Sequence, residues 1–400
     1  MHTPRVLFVN TTNTTKRSLE RTYPDIEVHT APHYYSYVGT QPEDSEALET
    51  YIANVLQYVE EKGIEAVVPS NDVGTFVAAI INHRAGLRGA SEESVLLAGN
   101  KYLMRQHLDG AETVHSVREN VLPRVRFPMY LKAPYSAFGL FATTIDSQDA
   151  LEKFVTGNWT DLMARNQCFF PHILSHLSVT KDYPGSIENM FYLESLRTHQ
   201  RQVTVEGVVQ DGEVTILAIV DSNLADAPGI FESFTTPSVA PKVVQDTLVA
   251  QTKASVTKLG LDHTVFNAEF WLTEDGRVDL IEVNPRISTS FARLYKAAYG
   301  LDVRQLAIAV ALGTPVQTPA EKPVYAGLYN VRVPEDKRAD TVFNFALASS
   351  MPDVAVRFSP DRFTKRSGHY GDVIADILIT GNDWGEMQKE ANQKIGALKL

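Results

Sequence analysis

Residues 5–10, RVLFVN, form a short apolar run that ends in a polar residue. That is the pattern of a parallel strand buried on both faces. Residues 44–62 place Leu48, Ile52, Val55, Leu56 and Val59 at helical spacing, and Ala66–Pro69 is a second short apolar run. Strand, helix, strand in this order predicts a βαβ unit, and with it a small doubly wound α/β domain. The pattern changes after residue 95. NKYLMRQHL (Asn100–Leu108) reads as a short helix and FPMYLKAP (Phe127–Pro134) as a strand carrying a lysine. A small-residue turn, a further strand and a helix over Asp146–Val155 follow. Residues 201–222 alternate around Asp211-Gly212, a strong hairpin signal. Residues 265–284 make a second hairpin, turning at Glu274-Asp275-Gly276. Leu301, Val303, Leu306, Ala307, Val310 and Leu312 then set a helix that Gly313 ends. The Pro- and Thr-rich stretch Gly313–Val324 predicts a boundary. Beyond it, strands around 325–332 and 372–379 and a helix over Asp383–Leu398 predict a small α+β region. No internal repeat or low-complexity tract is present.

At 400 residues, with 44% apolar and 21% charged positions, the chain has the composition of a soluble protein of several domains. The net charge of −11 argues against non-specific binding to nucleic acid or to anionic membranes. The single cysteine, Cys168, excludes an internal disulfide and any Cys-based metal cluster, and sits in a segment (CFFP) that reads as buried filler. The N-terminus lacks the build of a signal peptide, and no stretch approaches the roughly 20 apolar residues of a membrane helix. The expected compartment is therefore the cytoplasm. GxGxxG, Walker, GxSxG and HExxH motifs are all absent.

The chemistry concentrates in the second hairpin. Glu269 lies between Ala268 and Phe270, and Glu282 between Ile281 and Val283. A carboxylate inside such a run must be paired, protonated or bound to a cation if it is buried. The hairpin can bring the two side by side, where a hard cation relieves their repulsion. Mg²⁺ suits this, since it takes oxygen ligands and is commonly shared between carboxylates and phosphates. Asn284 follows Glu282 by two and is expected on the same strand face, with its amide oxygen as a third ligand. Arg286, two further on, would extend that face as a fork for phosphate. The rival reading is a solvated sheet edge.

The segment NAEFWLTEDGRVDLIEVNPRIS (Asn267–Ser288) resembles the metal-binding hairpin of ATP-grasp enzymes, and other pieces fall in that family's order. Asn100-Lys101 resembles the helix start whose lysine reaches nucleotide phosphates. FPMYLKAPYSAFGL resembles the strand and small-residue loop that fold over ATP, with Lys132 on the phosphates or adenine and Ser136 and Gly139 in the loop. FYLESL (Phe191–Leu196) resembles the adenine-binding segment, which puts Glu194 near the ribose and Leu196 at the hinge. VTVEGVVQDGEV places Glu206 toward the nucleotide. The resemblance spans roughly 95–315. It implies an N-terminal Rossmann-like domain (1–95), a two-lobed ATP-grasp domain (96–315, lid about 125–195) and a C-terminal α+β domain (316–400). It departs from the family in two places. Gly139 is the only glycine of the loop, and Ile287-Ser288-Thr289-Ser290 stands where many members carry Gly-Gly, bordering the acceptor substrate.

The resemblance implies a carboxylate–amine ligase, with ATP and Mg²⁺ (or Mn²⁺) as cofactors. Small-molecule carboxylate and amine substrates are its implied partners, with no nucleic acid and no membrane, in a homodimer. Metal would be held by Glu269, Glu282 and Asn284; Arg286 and Lys132 would act on the transferred phosphoryl group. A biotin-carboxylase-like or purine-pathway carboxylating enzyme, and an ATP-binding regulator without turnover, are the alternatives. Several residues also have a plainer reading. Lys101 is also a helix-surface charge by pattern, Lys132 a snorkelling edge lysine, Arg201 a surface residue or a partner for a carboxylate, His263 a satisfied loop histidine, and the His172/His176 spacing a loop pair rather than a metal pair.

Overall fold

The computed structural model describes the chain except residues 1, 10–12, 32–44, 111–112, 136–141, 168–169, 189, 198–200, 225–229, 274–275, 320–322 and 365–371. The side chains of 13–15, 45–47, 162–167 and 170–172 are likewise outside the description. Ser136, Gly139 and Cys168, together with the His172 side chain, therefore lie outside the described residues.

Strands β1 (Arg5–Val9), β2 (Glu27–Thr30) and β3 (Ala66–Pro69) form a parallel sheet of order β2-β1-β3. Its crossovers are α1 (Asn13–Thr22) and α2 (Ser45–Lys62), and α3 (Asp72–Ala85) follows β3. Alternation divides the strands between two cores. Leu7, Val9 and Val67 pack with α2 and α3, whereas Val6, Phe8, Ala66 and Val68 share a core with residues 291–311. The second face of this sheet is thus covered by helices much later in the chain. Asn71 caps α3, its side chain accepting from the Gly74 amide, and Asp72 occupies the first turn.

Helices α4 (Glu92–Gly99) and α5 (Lys101–Asp109) lead into a second sheet of β4 (Val114–Val117), β5 (Met129–Lys132), β6 (Thr143–Ile145) and β7 (Phe191–Ser195), ordered β4-β7-β5-β6. Met129, Leu131 and Leu193 line one face and pack under α6 (Gln148–Gln167); α7 (Phe170–Ser175) follows α6. The opposite face carries Tyr130, Lys132, Tyr192 and Glu194, which are cross-strand partners.

The third sheet has eight strands, ordered β12-β11-β8-β9-β10-β13-β15-β14. It includes β8 (Arg201–Gln210), β9 (Glu213–Leu224), β10 (Phe231–Thr236), β11 (Thr264–Leu272) and β12 (Val278–Asn284). It continues through β13 (Tyr325–Val333), β14 (Val354–Val356) and β15 (Asp372–Gly381). The β8–β9 turn has positive φ at Asp211 (53°) and Gly212 (79°), the geometry a two-residue hairpin turn needs. α8 (Lys242–Lys258) packs on one face through Leu248 and Val256; α9 (Ala292–Tyr299) and α10 (Val303–Leu312) pack on the other. α11 (Phe345–Ser349) and α12 (Trp384–Leu398) complete the chain. Across the boundary expected at 313–324, β13 pairs with β10, so the sheet itself runs on without a break. No helix among the described residues is long and apolar enough to cross a membrane.

Candidate active site

The two hairpin glutamates meet. In the β11–β12 register Glu269 faces Glu282 and Asn267 faces Asn284, so all four side chains share one face. Directly opposed residues have Cβ atoms about 4.5–5.5 Å apart. The β8 register adds Thr204 beside Glu269 and Glu206 beside Asn267. Two polar rows thus cross three strands, while Val203, Val205, Ala268, Phe270 and Val283 fill the core behind them. A bulge sits between Glu269 and Phe270, where β12 carries Ile281 as an extra residue, one step from the carboxylates.

Hydrogen bonds fix how these groups present themselves. The Asn284 amide nitrogen donates to Asn267 Oδ1 (2.9 Å) and to Glu282 Oε1 (3.0 Å). With both N–H bonds so directed, Oδ1 is the atom left for a cation. Gln202 donates its amide to Glu269 Oε2 at 2.7 Å. Lys101, at the first position of α5, reaches Glu282 Oε2 at 2.9 Å, and its backbone amide donates to Pro134 O just past β5. Burial and the neighbouring Glu282 charge push Glu269 up to about 8. Burial also acts to raise Glu282, but the Lys101 ammonium and the Asn284 amide outweigh it and hold Glu282 down at about 2. The two titrate as a pair. Among the described residues no group of three His, Cys, Asp or Glu gathers as a metal cluster. A cation here would be held by two carboxylates and one amide oxygen, with substrate oxygens completing its shell, and this hard-oxygen set fits Mg²⁺.

This arrangement would make cation binding at the pair proton-linked. A cation must displace the Glu269 proton, so affinity should rise with pH by up to about tenfold per unit and level off above about pH 8. Titrating Mn²⁺ into nucleotide-free protein by electron paramagnetic resonance measures this, and a pH-independent affinity would contradict it.

Facing this sheet, Lys132 bonds Glu194 at 2.5 Å, and Arg105 of α5 bonds the same carboxylate at 3.0 Å. All three are buried. Burial acts to raise Glu194, yet the two cations hold it below the ordinary carboxylate range. Lys132 is lowered, by burial first and also by the nearby Arg105 charge. Arg105 also donates to Leu280 O and Ile281 O, closing the outer edge of β12. Leu196, just past β7, is exposed, and Arg197 pairs with Asp279 of β12 at 3.3 Å. Sequence reasoning missed Arg105. Its only signal was a charge on the inward stripe of a short helix.

Two expectations need correcting. β12 ends at Asn284, and the Arg286 amide turns back onto Asn284 O at 2.8 Å, so period-two alternation does not carry Arg286 onto the face. Its guanidinium pairs instead with Asp72 of α3, a residue the sequence reading did not single out. Glu206 does not open toward a nucleotide: it is 1% exposed and accepts from Ser288 N (3.1 Å) and Tyr295 OH (3.1 Å), which pins the loop after Arg286. Arg201 keeps its side chain partly exposed and also pairs with the buried Asp221 at 3.0 Å, the second of the two readings its position allowed. Elsewhere, His263 is engaged by Arg88 (3.1 Å), and His176 pairs with Glu49 (2.8 Å).

An acid pair on a sheet face, lysines from a helix start and a facing sheet, and a guanidinium at the strand end are here built on a fold with known counterparts. No family model matches the chain. It is similar over its whole length to the crystal structure of an L-amino acid ligase from Bacillus licheniformis, with TM-score 0.76, 15% identity and 98% of that chain covered. It is also similar to the biotin carboxylase domain of 2-oxoglutarate carboxylase from Hydrogenobacter thermophilus, solved with MgADP and bicarbonate. There the TM-score is 0.65 and the identity 15%, covering 98% of this chain and 90% of that one. In sequence it is 24% identical over 357 residues to carnosine synthase 1 of Gallus gallus, and 23% identical over 331 residues to an alanine–anticapsin ligase of Bacillus amyloliquefaciens. Those matches take in 84% and 76% of this chain. The chain has the fold of these ligases and carboxylases. Its alignments span 37% of the carnosine synthase and 68% of the anticapsin ligase. That shared fold carries the acid pair on one sheet and the Lys132–Glu194 pair on another.

Proposed function

We propose that this protein is an ATP-dependent carboxylate–amine ligase that joins an amino acid or similar small acid to an amine and releases ADP and phosphate. The observation that carries this reading is the direct cross-strand pairing of Glu269 with Glu282, with Asn284 Oδ1 beside them. ATP would lie between the two sheets, its base by Glu194 and Leu196 and its phosphates on Lys101, Lys132 and the loop of Ser136 and Gly139. Glu269, Glu282 and Asn284 would hold Mg²⁺, whose contribution is to neutralise and orient the β- and γ-phosphates. The substrate carboxylate then attacks the γ-phosphorus in line. Arg286 stabilises charge on the transferred group, and Glu206 keeps the following loop in place. An amine attacks the acyl phosphate to give the amide. Residues 1–95 and 316–400 would flank the ATP-grasp unit, and the loop from Ile287 to Ser290 would border the acceptor.

The names of the similar proteins support amino acids as substrates. The test is ADP release by purified protein supplied with ATP, Mg²⁺ and the protein L-amino acids, with mass spectrometry of the product. Turnover that depends on bicarbonate and yields no amide would replace this reading with a carboxylating one.

A further inference from the structure

Among the described residues, carboxylates whose charge acts on or pairs with Arg286 include Asp72, Glu206, Glu269 and Glu282. Three of these have their work assigned. Glu206 is sealed against Ser288 and Tyr295, and Glu269 and Glu282 face each other as the cation pair. Asp72 differs from them in two ways. It comes from the first turn of α3 in the N-terminal sheet unit, and its side chain is 32% exposed while pairing with Arg286.

An incoming amine meets an electrostatic problem in this site. A free amino acid's nitrogen is protonated at neutral pH, being more basic than a chain's α-amino terminus at about 7.7–8.0 because its neighbour is a carboxylate and not an amide. Lys101 and Lys132 are each paired with a carboxylate, but the Arg286 guanidinium that grips the phosphoryl group repels the ammonium where it must approach. A carboxylate beside the guanidinium that grips the phosphoryl group offsets that repulsion and marks a position for the cation. Resting on the ligase reading, we infer that Asp72 is the recognition group for the attacking substrate, which it takes as a primary ammonium. When Arg286 turns to the phosphoryl group, the Asp72 carboxylate receives the ammonium next to the acyl phosphate. The held ammonium first gives one proton to water, which frees its lone pair; the nitrogen then bonds to the acyl carbon and passes a second proton to the departing phosphate. The acyl carbon–oxygen bond breaks, and its electron pair leaves with the phosphate. The partly exposed Asp72–Arg286 pair is weak enough to exchange in this way.

Two nucleophiles separate this role from mere support of Arg286. Hydroxylamine is uncharged near neutral pH and traps acyl phosphates as hydroxamates, whereas an amino acid nucleophile must first be held as a cation. Asp72→Asn keeps an oxygen for Arg286 and removes the charge. With ATP, Mg²⁺ and the protein L-amino acids, amide formation should fall at least about tenfold, through the KM for the amine rather than kcat. Hydroxamate formation should fall by less than about threefold. Asp72→Glu, which keeps the charge, should retain most of the amide activity. Equal losses in both assays would reduce Asp72 to a support for Arg286 and overturn the inference, as would an unaltered KM for the amine. Wild-type protein that forms neither hydroxamate nor amide would remove the ligase reading and this subsite together.

Discussion

Glu282→Ala should lower carboxylate-dependent ADP release by about 10³-fold, the scale of losing a group that organises transition-state charge. The argument rests on three contacts ending at one carboxylate. Glu282 faces Glu269, accepts from Asn284 and pairs with Lys101. Its removal would leave the proposed cation site one carboxylate short, release the Asn284 amide from half of what orients it and free Lys101 from its resting position. Because Lys101 also serves the phosphates in the proposed mechanism, Glu282→Gln is the sharper variant. It preserves shape and an oxygen but weakens the hold on both cations, and should lose nearly as much. Circular dichroism should stay that of the parent, since Glu282 sits on the polar face and not in the apolar core behind it. ADP release within tenfold of wild type for both variants would show that the acid pair is not the engine of turnover.

Arg105→Ala should destabilise the fold by about 3–5 kcal/mol, the usual consequence of removing one member of a buried ion pair. Glu194 would keep Lys132 but lose its second cation, at a position 6% exposed. Leu280 O and Ile281 O would lose their donor at the outer edge of β12. The measurement is the urea midpoint. Arg105→Lys should recover only part of the loss, because an ammonium cannot span a carboxylate and two carbonyls as a planar guanidinium does. A midpoint unmoved by Arg105→Ala would mean that water replaces the guanidinium without cost.

The sequence was most informative where side-chain period and chemistry disagreed. Glu269 and Glu282 stood out because strands with apolar neighbours do not ordinarily place acids there, and the hairpin length was enough to pair them. The two hairpins, the helix closed by Gly313 and the opening strand–helix–strand unit were legible for the same reason, a clear period bounded by turn residues. What escaped were relations between segments far apart in the chain. Asp72 looks like an ordinary helix start, and only the way α10 covers the second face of the N-terminal sheet brings it to Arg286. The resemblance turns Glu206 toward the nucleotide, but Tyr295 and the Ser288 amide cover it from another segment. Arg105 resembles any helical arginine until β7 and β12 close around it. Alternation also misled at Arg286, because a turn resets the direction of side chains as soon as the ladder ends.

The join between β10 and β13 limits how this molecule can be cut or recombined. A fragment ending near residue 315 would bare the hydrogen-bonding rim of β10, normally matched by Tyr329, Leu328, Gly327 and Ala326. Such a rim invites other chains to add on, so the truncated protein should aggregate rather than behave as a smaller catalyst. Chimaeras built by exchanging the tail between relatives must therefore keep both strands from the same parent.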